Sequence, residues 1–277
     1  MTDLVLTDAP DPGEVVDGIA FRHHGEVTEI VLSRPDHQNA LNLAMWRRLE
    51  DIVDSLASFL GIVLIRGAGA AFSAGADIRE FSTHRFGEAA TSYNAAVAGA
   101  IRGLMAAPGP VVAMLHGFAV GGGCELACAC DIRVAAEGAR FGVPIKRLGV
   151  TVGSDEARAM VRVLGPGRAK DLLLTGRLIE AEEALRIGLV DRLVPGARLA
   201  DEVRSVIHEI ATGSPLAAAV HKLTVDAVAD GSIEGGAERI AALNDRVFSG
   251  RDVREGVEAF LAKREPRFAR PDEEPWP

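Results

Sequence analysis

Residues 110–131, PVVAMLHGFAVGGGCELACACD, decide how the chain is organised. The run Val111–Leu115 has the continuous apolar, β-branched character of a buried strand. It leads through His116 and Gly117 into Gly121, Gly122 and Gly123. The small residues that follow, Cys124 to Cys130, suit a buried helix. Glycines at a strand-to-helix junction let backbone approach a ligand closely, and the first amides of the helix lack intrahelical partners. Between Arg102 and Asp131 the one carboxylate is Glu125. A carboxylate in such apolar company is costly unless it is paired, protonated or working.

The rest of the chain surrounds this unit with the composition of an ordinary globular enzyme. Of its 277 residues 48% are hydrophobic and 25% charged, enough to bury a sizeable core. A formal net charge of −9 argues against a nucleic-acid surface, which needs clustered positive charge. No apolar run approaches the roughly 20 residues of a membrane span. MTDLVLTDAPDPGEVVDG has neither a basic n-region nor an apolar h-region, so no signal peptide is expected. Cys124, Cys128 and Cys130 read as buried, reduced thiols of a cytoplasmic protein. Their spacing does not fit a metal site, and none is assigned.

In chain order, residues 1 to 18 read as a loose tail. Ile19–His23 and Val27–Leu32 read as paired strands turning at Gly25. Turn formers fill SRPDHQNALN, after which Asn42 can N-cap a helix running from Leu43 to Leu60. Ile62–Arg66 is a further strand, and GAGAAFSAGADIREF a second glycine-rich loop. Residues 82–105 read as one helix. After the central unit and a strand at Ile132–Ala135 comes the loop FGVPIKRLGV. Ser154 can then N-cap a helix to Leu164, with GPGR breaking the chain before Ala169–Leu174. TGRLIEAEEALRIGLVDRLV reads as a helix between short strands. Beyond Leu199 the pattern is helical to Lys263, interrupted at Gly213–Pro215 and Gly231–Ser232, and REPRFARPDEEPWP reads as frayed. Strands alternating with helices, then helices alone, predict an α/β core with a helical C-terminal part.

LSRPDHQNALN (32–42), FSAGADIREF (72–81) and HGFAVGGGCELACACDIRVAAEGARFGVP (116–144) together resemble the crotonase (enoyl-CoA hydratase/isomerase) superfamily. TGRLIEAEEALRIGLVDRLV (175–194) and EGVEAFLAKREPRF (255–268) fit the same family in the same order. The resemblance implies a spiral of ββα units: residues 19–198 as an acyl-CoA-binding core and 199–277 as a helical region that builds a homotrimer or hexamer. It implies an acyl-CoA thioester as substrate and no separate cofactor, because CoA is part of that substrate. Two backbone amides, carried over to Ala76 and Gly122, would form an oxyanion hole. Fixed donors aimed at developing enolate charge stabilise the transition state by roughly 3 kcal/mol each. Ala40, Leu41, Ala74, Asp77, Ile78 and Gly121 would hold pantetheine and adenine, with Phe260 and Lys263 approaching CoA from the last helix. An ordinary solvated helix charge is an equal explanation of Lys263.

Hydratases of this family use two glutamates, one polarising water and the other exchanging a proton at Cα. Glu125 matches the first. The second falls in an FGxPE segment that reads Phe141-Gly-Val-Pro-Ile145 in this chain, and isoleucine transfers no proton. Lys146 is adjacent. Downstream, GVTVGSDEAR brings Asp155 and Glu156 near the site, as catalytic groups or as anions favoured at a helix N-terminus. His84 and Tyr93 come from a region that supplies substrate-specific groups but read first as surface or core residues, and His116 suits a structural hydrogen bond. Hydration of a 2-enoyl-CoA is the default expectation. Decarboxylation, thioester hydrolysis or acyl-CoA binding without catalysis are the alternatives that Ile145 leaves open.

Overall fold

The computed structural model describes residue 4, residue 6, residues 9–270 and residue 276. Chain order is β1 (Val15–Val16), β2 (Ile19–His24), β3 (Val27–Leu32), α1 (Leu43–Ser55), β4 (Ile62–Gly67), α2 (Phe81–His84) and α3 (Glu88–Ala106). There follow β5 (Val111–Leu115), β6 (Phe118–Val120), α4 (Gly122–Ala129), β7 (Ile132–Ala136), β8 (Arg140–Gly142) and α5 (Ser154–Thr175). The chain continues with β9 (Ile179–Glu180), α6 (Ala181–Ile187), β10 (Arg192–Val194), α7 (Leu199–Ala211), α8 (Pro215–Asp230), α9 (Ile233–Ser249) and α10 (Arg251–Ala262).

Seven strands form the main sheet in the order β1-β2-β3-β4-β5-β7-β10. The first two pairings are antiparallel, and every pairing from β3–β4 onward is parallel. Parallel strands must be covered on both faces, and every residue of β3 and β4 is buried. Alternate residues such as Ile30, Val63, Ala113 and Leu115 pack under α1, α3, α4 and α5. Their neighbours Val27, Leu64, Val112 and Val134 pack with Leu199, Val203 and Val206 of α7. The period-2 alternation of a strand thus feeds two cores at once.

A second, three-stranded sheet, β6-β8-β9, was not legible in the sequence. β6 and β8 have three residues each and β9 two, too short for any alternation to register. With it the chain repeats strand, strand, helix: β5–β6–α4, then β7–β8–α5, each turn laying one strand in each sheet.

The structure corrects several sequence expectations. α1 stops at Ser55, short of Leu60, although Asn42 does cap it by accepting from the Met45 amide at 2.9 Å. Residues 82–105 are two helices, divided where Gly87 takes φ +57°. Gly153, not Ser154, is the N-cap of α5, whereas the break expected at GPGR is present: Gly165, at φ +70° and ψ 163°, kinks α5 into two helical stretches. The region after Leu199 has a further break at Gly250, between α9 and α10. The 1–18 segment is not all tail: Val15–Val16 pairs with β2, and Leu4 is buried in the core beneath α7. Nor is 264–270 frayed, since Arg264 pairs with Glu255 and the Ala269 amide donates to Asp252 at 2.9 Å. Residues 1–3, 5, 7–8, 271–275 and 277 lie outside the described residues.

One polar side chain ties the loop 33–42 to the sheet. Asn39, fully buried and with φ +54°, donates from Nδ2 to the carbonyls of Ala68 (2.8 Å) and Ala71 (2.7 Å). Its Oδ1 accepts from the Arg34 amide at 2.8 Å, and its carbonyl accepts from Ser73 Oγ at 2.9 Å. Asparagine tolerates positive φ better than most residues. Asn39→Ala leaves two carbonyls and one amide unsatisfied in the core, so a loss of about 2–4 kcal/mol is expected in chemical denaturation.

Candidate active site

The two glycine-rich loops meet edge to edge. Ser73 bridges to Ala119, its amide donating to Phe118 O at 2.8 Å while the Val120 amide donates to Ser73 O at 3.0 Å. On the other side, the Leu41 amide donates to Gly75 O (2.7 Å) and the Asp77 amide to Leu41 O (2.8 Å). Gly75 takes φ +93°, and a Cβ there would lie 2.6 Å from Val120 O and 3.3 Å from Gly122 N. Only glycine permits both that conformation and that approach. Gly121, with φ +54°, N-caps α4 and aims the helix start at this junction. The amides of Ala76 and Gly122, flanking the contact, make no hydrogen bond with any described residue. Two unengaged amides brought to one junction, one of them at a helix N-terminus, are donors that can accommodate negative charge on an oxygen placed between them.

These amides open onto a cleft of about 270 Å³. Ala74, Ala76, Ile78, Gly121, Gly122, Glu125 and Glu156 line it, so seven of the candidate site residues share one cavity. Asp77 does not. It is buried and turned to Arg34 (3.1 Å) and Arg79 (2.8 Å), whose hydrogen bonds, Arg79 foremost, hold its carboxyl well below the usual carboxylate range. Its part is to clamp the loop that carries Ala76. Leu41 is likewise a buried brace, and the Ala40 carbonyl accepts from Arg34 at 2.6 Å. Neither lines the cleft, and neither do Phe260 and Lys263. Phe260 stands 83% exposed on α10, and Lys263 caps that helix in the left-handed conformation.

Glu125, in the first turn of α4, is 6% exposed, and its carboxyl makes no hydrogen bond or ion pair with a described residue. Burial, then the Glu156 carboxylate, pushes its pKa up to about 8, against a smaller opposing pull from Arg85. Ile145 lines the cleft where the expected second acid would stand, while Lys146 turns away to the Leu174 carbonyl. The neighbours Asp155 and Glu156 separate. Asp155 pairs with Arg102 at 3.0 Å, away from the cleft. Glu156 enters it, and its Oε2 is buried with no hydrogen-bond partner among the described residues. The glycine at 153 makes room: a Cβ there would sit 2.6 Å from Glu156 Oε2.

The walls include side chains that sequence reasoning passed over: Trp46, Val97, Leu148 and Val152 supply apolar surface, beside Tyr93. Tyr93 is fully buried, accepting from Trp46 Nε1 (3.2 Å) and donating to Leu41 O (3.3 Å), which makes it wall and brace. Arg85 and Arg147 also line the cleft. Trp46 and Val97 sit at regular helical spacings, so only their shared facing distinguishes them from other core residues. His84 is not among the lining residues, and His116 Nε2 meets Gly69 O at 2.9 Å. The three cysteines are buried and free, with Cys130 Sγ donating to Leu126 O.

Comparison with known proteins gives a single answer. The profile described as Enoyl-CoA hydratase/isomerase matches residues 22–271. A Mycobacterium tuberculosis protein named "Probable enoyl-CoA hydratase" is 38% identical over 241 residues, covering 86% of this chain and 93% of its own. A crotonyl-CoA hydratase of Syntrophomonas wolfei is 34% identical over 255 residues, covering 91% and 98%. The crystal structure of an enoyl-CoA hydratase/carnithine racemase from Magnetospirillum magneticum superposes with a TM-score of 0.86 at 39% identity, covering 92% of this chain and 96% of that one. With its paired sheets, its junction of glycine loops and its carboxyl-bearing cleft, this chain belongs to the enoyl-CoA hydratase/isomerase family and has the crotonase fold.

Proposed function

We propose that this protein adds water across the double bond of a 2-enoyl-CoA, with Glu125 and Glu156 as its acid–base pair. The thioester carbonyl accepts from the Ala76 and Gly122 amides. Water oxygen bonds to Cβ as one carboxyl takes a water proton, and the C=C electrons move toward the carbonyl, where the amides hold the enolate charge. The other carboxyl delivers a proton to Cα, and the pair ends with the protons it began with. Two carboxyls sharing a low-dielectric cleft favour holding one proton between them, and that state has one acid and one base ready.

The observation that carries this reading is the Glu156 carboxyl in the same cleft as Glu125, with a buried oxygen lacking any described partner. It supplies from α5 the acid that Ile145 cannot. A protein that merely bound acyl-CoA would gain nothing from two desolvated carboxyls, each costing stability. We further propose a cytoplasmic enzyme, consistent with three free buried thiols. We propose that it assembles as a trimer or hexamer through its C-terminal helices. Phe248, Phe260 and Leu261 there are more than two-thirds exposed, an apolar surface that suits burial against a second copy.

Glu125→Gln and Glu156→Gln should each lower kcat on crotonyl-CoA roughly 100-fold or more, with little change in CoA-ester affinity. Ile145→Glu placed in the Glu156→Gln protein should recover part of the loss. Turnover per folded molecule that survives Glu156→Gln would remove Glu156 from the mechanism.

The raised Glu125 pKa sets the sign of two pH effects. Hydration should decline as pH rises through about 8, where the pair loses its shared proton. The folded protein holds this proton more tightly than the unfolded chain, whose value is near 4.5. Stability from this group is therefore full below that value and lost as pH climbs toward 8. The melting temperature of Glu125→Gln relative to the unsubstituted protein should accordingly rise between pH 5 and pH 8. Light scattering at micromolar concentration checks the assembly: three or six subunits are expected, and a monomeric mass contradicts it.

A further inference from the structure

The cleft contains a cation that hydration of a simple enoyl chain does not use. Arg85 ends α2 at the bend before Gly87, and its guanidinium lies over the rings of Tyr93 (4.4 Å to the centroid) and Phe81 (5.2 Å). One nitrogen donates to the neutral side chain of Asn94. Nε is buried without a hydrogen-bond partner, and no described carboxylate forms an ion pair with this arginine. A guanidinium fixed by two aromatic faces and left short of acceptors is prepared for a planar, two-oxygen anion.

Its surroundings say where that anion belongs. Arg85 faces the same space as Glu125 and is near enough to oppose the rise in the Glu125 pKa. Arg147, exposed at the edge of the same cleft, adds a second positive charge. Two arginines and two carboxyls line a cleft otherwise walled mostly by apolar side chains. Few polar groups in an apolar pocket are what set specificity.

Building on the hydratase reading, we propose that the substrate is a 2-enoyl-CoA whose acyl chain carries a second carboxylate, recognised by Arg85. The chain would extend from the thioester at Ala76 and Gly122, pass Glu125 and Glu156, and place its distal carboxylate on the guanidinium. Burying an anion there gives the arginine the acceptor that its Nε lacks. A methyl-ended chain leaves Arg85 desolvated and unpaired, a penalty that a site built for a polar partner imposes on an analogue lacking it.

The test uses the full-length protein and pairs of 2-enoyl-CoA thioesters of equal length, one ending in carboxylate and one in methyl. At least a tenfold preference in kcat/KM for the carboxylate is expected. Arg85→Met should lower turnover of the carboxylate substrate roughly 100-fold and bring the ratio toward one, while Arg85→Lys keeps part of it. Calorimetry with the corresponding saturated thioesters, which cannot be hydrated, should give the same order of affinity. A ratio of one or less in the unsubstituted protein overturns the proposal. So does an equal loss of affinity for both saturated thioesters in Arg85→Met, which would assign the arginine to CoA itself. If no enoyl thioester is hydrated but the saturated pair still differs through Arg85, the hydratase reading fails and the carboxylate subsite stands.

Discussion

The contact between Gly75 and the backbone of Val120–Gly122 is the constraint on which the rest of the site depends. Two amides can aim at one oxygen only if the loops that carry them are locked together. Any side chain at residue 75 would drive a carbon into the Val120 carbonyl. The lock is reinforced from both sides, by the Ser73–Ala119 bridge and by Leu41, whose amide and carbonyl both bond to the Gly75–Asp77 segment. Asn39 and Asp77 hold those loops to the sheet and to two arginines. The buried strands β3, β4 and β5 are the rigid floor from which the loops rise. Preorganisation of this kind matters because donors that need not reorient stabilise charge without reorganisation at the moment of reaction.

On this frame the two carboxyls of the cleft come from two elements of different origin. Glu125 belongs to the helix that also presents Gly122, so the spacing of the Gly122 amide and the Glu125 carboxyl is set by one helical turn. Glu156 arrives from α5, through a helix start that a glycine at 153 keeps open, and lines the same cleft as Ile145. Arg85 then offsets part of the negative charge that the pair would otherwise concentrate, and its placement depends on the break between α2 and α3.

Much of this was legible in the sequence because it rests on local signals. The strand–glycine–helix unit, the Asn42 cap and the alternating strands each follow from backbone preference or periodicity within a dozen residues. Ala76, Gly122 and Glu125 were reachable through motifs whose glycines have a steric reason to be there. Other features were not local. Strands of two or three residues in the second sheet carry no period, and their pairing is decided by residues far away in sequence. Asp155 and Glu156 stand side by side on a helix, so only the fold separates the one that pairs with Arg102 from the one that enters the cleft. Asp77 looked like a ligand contact because it sits beside Ala76, whereas its charge is spent on Arg34 and Arg79. Arg85 was passed over because residues 82–105 read as one helix, which concealed the turn at Gly87.

The central claim is that the Ala76 and Gly122 amides polarise a thioester carbonyl. Infrared spectroscopy of a bound enoyl-CoA labelled with carbon-13 at that carbonyl tests it directly. Two strong donors withdraw electron density from the C=O bond, so its stretching band should move to lower frequency on binding and sharpen as the carbonyl is held in one geometry. A band that stays at its solution position in the saturated complex would contradict the claim, because a thioester bound without polarisation lies outside the hole formed by these two amides.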